Sequence, residues 1–359
     1  MWRDVRRRKL VCKVMSAQSP LDFFRMRMRS VDRRAMLRPL TTGEMGETAI
    51  RVVQRAGAGL MGAALAPAAV VYAVLVFFFA FAAPAIFSRA PANVDPVGQA
   101  TAVVMAYAVF ILVGLPLMAI SLASLTGLAT AYAAAFVLGE DVTPEKIKAQ
   151  VESRRGVIAS AVGRTLWACA GLLVIALLLV AVSAAISVSV RSNIWIDVFN
   201  VAVVTLFWAA FLLTLPLGAV RYGLAPAAAL IEGREGKASL RRSQELLQAK
   251  DHVPGGGFTI LWAMIAYAFV GLLLWGGFSA LFGMVDLTTL VSRWLPVSAW
   301  TTVVIEAIQG LPFFLAIYLM LPVWAAHMTL LYFDRRVRIE ALDIYVLQED
   351  LSHAGRRKV

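Results

Sequence analysis

The residues with chemistry to offer are few, and they gather where long apolar runs stop. Glu232, Asp334 and Glu340, with Arg221, Arg241, Arg242, Arg336 and Arg338, follow or adjoin such runs. Carboxylates and guanidiniums so placed suit two tasks. They can pair with one another into a rim network, or the guanidiniums can take the phosphate of a lipid headgroup. Both readings stand at this stage. His327 belongs to the same group and is the only histidine in an apolar run. It has no second His or Cys nearby, so a metal set is not built, and a hydrogen bond to a neighbour is expected. No nucleophile, base and orienter assemble by any motif. The glycines at 255–257 lack a following Lys-Ser/Thr, which excludes a phosphate loop and leaves a flexible lead into the next helix. Cys12 and Cys169 are the only cysteines, in a basic tail and an apolar run, so no disulfide is expected. The sequence therefore predicts no catalytic residue, no cofactor and no metal.

The elements that must hold these residues are membrane helices. The 359-residue chain is 60% hydrophobic and 16% charged, with mean hydropathy +0.76. Soluble domains sit nearer 45–50% apolar and roughly 25% charged. Six stretches, 56–88, 96–139, 165–190, 198–220, 252–285 and 307–333, carry no Asp, Glu, Lys or Arg. Each exceeds the roughly 20 residues that cross the hydrocarbon as a helix. Spans are predicted at about 60–87, 98–121, 165–189, 196–220, 257–283 and 303–327. Period-2 alternation is missing, which argues against a barrel. The first run begins too late for a signal-peptide core. No acid reaches deep into a span; Glu306, three residues into the sixth, reads as interfacial. Of 34 Lys and Arg residues, 31 fall on one side of this topology and 3 on the other. Basic residues stay inside, so both termini are expected in the cytoplasm of a bacterial inner (plasma) membrane protein. The net charge of +12 suits an anionic leaflet rather than nucleic acid.

A pattern recurs three times. Pro116, Pro216 and Pro322 stand between apolar neighbours near the inner end of spans two, four and six, 100 and 106 residues apart. Proline within a span is expected to kink it. Each of these runs continues past the membrane, to Leu138, Ile231 and Phe333. Short amphipathic segments, 41–55, 142–155 and 236–250, precede spans one, three and five. Thr42 and Thr143 are candidate helix caps, and Pro144 fits a first turn. In the third segment Ala238, Leu240, Leu246, Leu247 and Ala249 form an apolar stripe expected to lie on the membrane interface. The expected fold is an all-α membrane protein, with six transmembrane helices in three tandem repeats of interfacial helix plus helical hairpin. A pseudo-threefold arrangement would bring Ser121, Arg221 and His327, each five residues after a repeat proline, near one another. It would also set Arg221, Glu232, Arg242 and Asp334 face to face. Gly276, Gly277 and Gly283 are read as places where helices approach closely.

The segments "LRPLTTGEMGETAIRVV", "APAAALIEGREGKASLRRSQELL" and "LLYFDRRVRIEALDIYVL" resemble the bacterial family named for the membrane domain of glycerophosphoryl diester phosphodiesterases. The matching residues are Tyr332, Asp334, Arg336, Arg338, Glu340 and Asp343, with Glu232 and the Arg242-Ser243 pair. The resemblance covers about 37–347 and is strongest in the last third. It implies a multi-pass membrane protein. The phosphodiesterase activity in the family's name is not implied here, because no soluble stretch is long enough for the catalytic barrel.

The expected organisation is a basic, disordered cytoplasmic arm at 1–38, which holds twelve Lys and Arg residues, a membrane domain at 39–347 and a tail at 348–359. The repeats are about 39–138, 139–232 and 233–347. The expected function is that of a non-enzymatic scaffold or accessory factor with a basic cytoplasmic face. Its expected partners are anionic lipid headgroups and another membrane protein, not nucleic acid. The alternative is a small transporter or lipid-handling protein with a pocket between repeats.

Overall fold

A computed structural model describes residues 39–77, 110–139, 143–168, 202, 217–248, 256–283 and 299–341. The 1–38 arm, the 348–359 tail, Pro216, Asp343, both cysteines and most of predicted spans three and four lie outside the described residues. Within them the chain is helical and contains no strand. Three helical stretches, Leu112–Leu138, Gly256–Phe282 and Val303–Glu340, are long and apolar enough to cross a membrane.

The first helix, α1 (Thr42–Ala56), starts at a capping box. Thr41, not Thr42, is the cap: its side chain accepts from the Glu44 N–H, and the Glu44 carboxylate accepts from the Thr41 N–H. The threonine that caps must precede the first helical residue, and that boundary falls one position earlier than expected. Gly57, at φ +53, ends α1. The next helix, α2 (Ala58–Phe77), departs at 104°. An amphipathic helix thus lies across the axis of an apolar one.

Helix α3 (Leu115–Leu138) follows a π-turn at Phe110–Gly114. Pro116 sits in its first turn, where a missing N–H costs little, instead of kinking a span midway. Helix α4 (Pro144–Ser153) has Thr143 at its cap position, but the threonine side chain makes no capping hydrogen bond. Helix α5 (155–168) follows after a single turn residue. Then come α6 (Ala225–Ile231), α7 (Lys237–Gln248), α8 (Gly256–Gly283) and α9 (Ala299–Glu340). Pro312 and Pro322 both lie inside α9, which is not interrupted at either.

The 42 residues of α9 make a rod about 63 Å long. The hydrocarbon core is about 30 Å thick. One end must therefore project, and the charges at 334–340 mark which. Around that end lies the largest buried cluster among the described residues. Leu330, Leu331, Tyr332 and Phe333 of α9 are buried with Ala133 and Val137 of α3, Ala228 and Ile231 of α6, and Leu246 and Leu247 of α7. Met45, Ala49 and Val52 of α1 complete it. The apolar faces of α1 and α7 thus pack on protein rather than down onto lipid. In α7 the buried face is Ser239, Ser243, Leu246 and Leu247, while Ala238 is exposed. A second core holds α4 through Ile147 and Val151, against Ile158, Val162 and Leu230.

The apolar spans are dressed the other way. On α8, Phe258, Trp262, Ile265, Phe269 and Leu272 are exposed at spacings of four and three. That lipid-like exposure is the inverse of a soluble helix. Gly276 and Gly277 have nothing within 4 Å of where a Cβ would stand, so no helix uses them for close approach among the described residues. Gly256 and Gly257 are close-packed instead, against Leu247, Arg335 and Val220, which is a tighter role than a flexible lead.

Candidate functional site

The projecting half of α9 presents polar side chains at successive levels, and each reaches a different neighbour. At the membrane side, His327 is buried, with Nδ1 3.2 Å from the Tyr267 hydroxyl of α8. Tyr267 stands edge-on to both Trp324 and His327, at ring distances of 5.5 and 5.4 Å. His327 Nε2 is buried without a hydrogen-bond partner among the described residues. Two residues on, Thr329 meets Thr130 of α3, oxygen to oxygen at 3.1 Å. Further along, Arg335 donates to Thr259 of α8 at 3.1 Å.

The spacing 332, 336, 340 then sets three residues on one face of α9, because residues four apart are neighbours on a helix. The Tyr332 hydroxyl donates to Glu232 Oε1 at 2.6 Å. Arg336 donates from Nε to Glu340 Oε2 at 2.8 Å, and its guanidinium stands 5.8 Å from the Tyr332 ring centre. Arg242 of α7 closes the circuit. Its Nε proton is shared by the Glu232 oxygens at 2.9 and 3.1 Å, and its Nη2 donates to Glu340. Arg234 adds a contact to Glu232 Oε2 at 2.7 Å. Positive and negative groups therefore alternate, with Glu232 and Arg242 side chains only 12% and 13% exposed. Burial alone would lower the Arg242 pKa, but the hydrogen bonds and charges of Glu232 and Glu340 raise it above the ordinary arginine value.

Glu232 is in position because α6 ends there: its N–H still bonds to Ala228 O. Ser243, on the buried face of α7, fixes the preceding turn. Its hydroxyl accepts from the Leu224 N–H and donates to the Arg221 carbonyl, both at 3.2 Å.

A second cluster lies on another face. Asp334 accepts Arg338 Nε on both oxygens, at 2.9 and 2.8 Å, and the Leu40 N–H on Oδ1 at 2.8 Å. Arg338 Nη2 donates to the Leu40 carbonyl at 2.9 Å. One carboxylate and one guanidinium thus grip both polar groups of a single backbone residue just before α1.

The expected four-residue face-to-face arrangement is not what forms. Glu232 and Arg242 meet, with Arg336 at its edge, 4.0 Å from Glu232. Asp334 and Arg338 form the separate clamp. Arg221 and Arg241 are exposed and make no ion pair among the described residues. Ser121 bonds to its own helix, at Met118 O, and His327 bonds to α8, so no hydrogen bond among the described residues joins the three residues that follow the repeat prolines. An α-helix turns 100° per residue, so Arg241 and Arg242 cannot face the same way. Glu340, one of the acids expected to pair at the rim, belongs to the network; so does Tyr332, for which the i, i+4 spacing with Arg336 was the available signal. Nothing in the sequence pointed to the Leu40 backbone or to Tyr267.

With both Glu232 oxygens occupied by donors, the arrangement fixes α6, α7 and α9 against each other. Comparison with protein-family models, curated proteins and solved structures gives no match.

Proposed function

We propose that this chain is a non-enzymatic scaffold or accessory factor of a bacterial inner membrane, with six spans in three repeats and both termini in the cytoplasm. The 31-to-3 division of basic residues supports that orientation. The mutual contacts of α3, α6 and α9, the segments that follow the three prolines, are compatible with three related units. The observation that carries the functional reading is the closed circuit Glu232–Arg242–Glu340–Arg336. Its charges satisfy one another and tie α6, α7 and α9 together, while Lys146, Lys148, Arg221 and Arg241 stay exposed. A rigid inner end with an exposed basic rim suits docking of an acidic partner or an anionic leaflet.

The test is recovery of the chain from native membranes in mild detergent, with protein and lipid mass spectrometry on one sample. A membrane-protein partner whose yield falls on neutralising Lys146, Lys148 and Arg241, at unchanged thermal stability, supports a scaffold. A second reading, a small transporter or lipid-handling protein, draws on His327 Nε2, a buried polar atom without a hydrogen-bond partner among the described residues. Recovery of the chain alone with a discrete lipid or solute that disappears in His327→Leu would reject the scaffold in favour of that reading.

A further inference from the structure

A different arginine, outside the network, stands where the chain enters its third apolar run. Arg164 lies on α5, immediately before the charge-free stretch 165–190. Its guanidinium rests against Gly236, the residue before α7. A Cβ on Gly236 would stand 2.6 Å from Arg164 Nη1 and 2.7 Å from Cζ. Gly236 also has φ +51, a backbone conformation that favours glycine. Just before α5 begins, Arg154 Nη1 donates to Leu230 O at 2.8 Å. Arg154 therefore ties the start of this connection to α5, and the packing of Arg164 on Gly236 places the start of α7, with exposed Lys237, near Arg164.

Arg164 is nonetheless exposed, and no carboxylate pairs with it among the described residues. Trp167, three positions on and so on the same side of the helix, is 66% exposed. Indole rings favour the headgroup level of a bilayer, and guanidiniums favour phosphate oxygens. An exposed indole one turn above an exposed guanidinium matches the order of glycerol and phosphate in a lipid. We propose that Arg164, Lys237 and Trp167 form a seat for the phosphodiester of an anionic phospholipid. The proposal rests on the reading that the chain enters the bilayer at about residue 165. Two cations favour a headgroup of net negative charge over a zwitterionic one.

The test uses the full chain in detergent, titrated with phosphatidylglycerol, phosphatidylcholine or inorganic phosphate, with bound lipid counted by native mass spectrometry. Phosphatidylglycerol should bind more tightly than phosphatidylcholine. Arg164→Gln should weaken it about fivefold, the effect of one basic residue at a charged surface. Arg51→Gln, at an exposed residue of α1 that pairs with Glu47 and lies outside the seat, should leave it unchanged. Trp167→Leu keeps both charges and should also weaken lipid binding, which keeps the idea testable should Arg164→Gln fold poorly. Unchanged phosphatidylglycerol affinity in both variants overturns the proposal. Equal competition by inorganic phosphate overturns it too, in favour of a soluble anion. Partner recovery from membranes is scored separately: if it persists without lipid preference, the seat fails and the scaffold stands.

Discussion

The backbone N–H of Leu40 donates to Oδ1 of Asp334 at 2.8 Å, joining residues 294 positions apart. Arg338 completes the contact by binding Asp334 through Nε and the Leu40 carbonyl through Nη2. The last helix thereby holds the strand of backbone from which the first helix begins, so the two ends of the described chain are fastened by a charged clamp.

Asp334→Ala should therefore destabilise the protein by about 3 kcal/mol, because it leaves a guanidinium and a backbone N–H without their acceptor. Asp334→Asn keeps an oxygen for Leu40 and should cost less. Thermal unfolding in detergent measures both. Equal stability of Asp334→Ala and the parent chain would show that the clamp is not holding α1.

Adjacent arginines on α7 should behave differently. Arg242→Ala opens the circuit and leaves Glu232 and Glu340 without their shared cation, a loss of about 2–4 kcal/mol. Arg241→Ala and Arg221→Ala remove exposed side chains and should stay within about 0.5 kcal/mol. The double variant Arg242→Ala with Glu340→Gln should lose less than the sum of its singles, as expected for residues in one network. Additive losses would mean that the two do not communicate.

Gly127 sets how closely α4 approaches α3. A Cβ there would stand 2.8 Å from Val151 Cγ1 and 3.0 Å from Ile158 Cδ1. Gly127→Ala should cost about 1–3 kcal/mol by overpacking. Val151→Ala in the same chain should recover part of that loss, although alone it is destabilising. Failure of the second substitution to compensate would place the strain elsewhere.

The proposed topology makes a labelling prediction. Single cysteines at positions 92 and 192, in a chain lacking Cys12 and Cys169, should react with an impermeant maleimide from outside intact cells. A cysteine at 150 should react only after the membrane is opened. External labelling of position 150 would invert or abolish the six-span arrangement.

The sequence by itself determined the medium, the secondary structure and the local pairs. Runs of 23 to 44 residues without Asp, Glu, Lys or Arg leave little choice but an apolar solvent, and in that solvent the backbone must satisfy itself as helix. The i, i+4 spacings 332, 336, 340 and 334, 338 fixed which charges of α9 share a face, because helical geometry alone sets that relation. Only the tertiary structure decided what meets those faces. Arg241 and Arg242 are the same residue type, yet a rotation of 100° about α7 gives one to solvent and the other to Glu232 and Glu340. Leu40 offers only its peptide groups to Asp334, and every residue carries such groups, so composition and spacing give no sign of it. Leu246 and Leu247 of α7 were legible as apolar, the buried Ser239 and Ser243 beside them were not, and lipid and protein are both apolar surroundings. Which one covers them depends on where α9 projects, and that is settled by contacts between segments far apart in the chain.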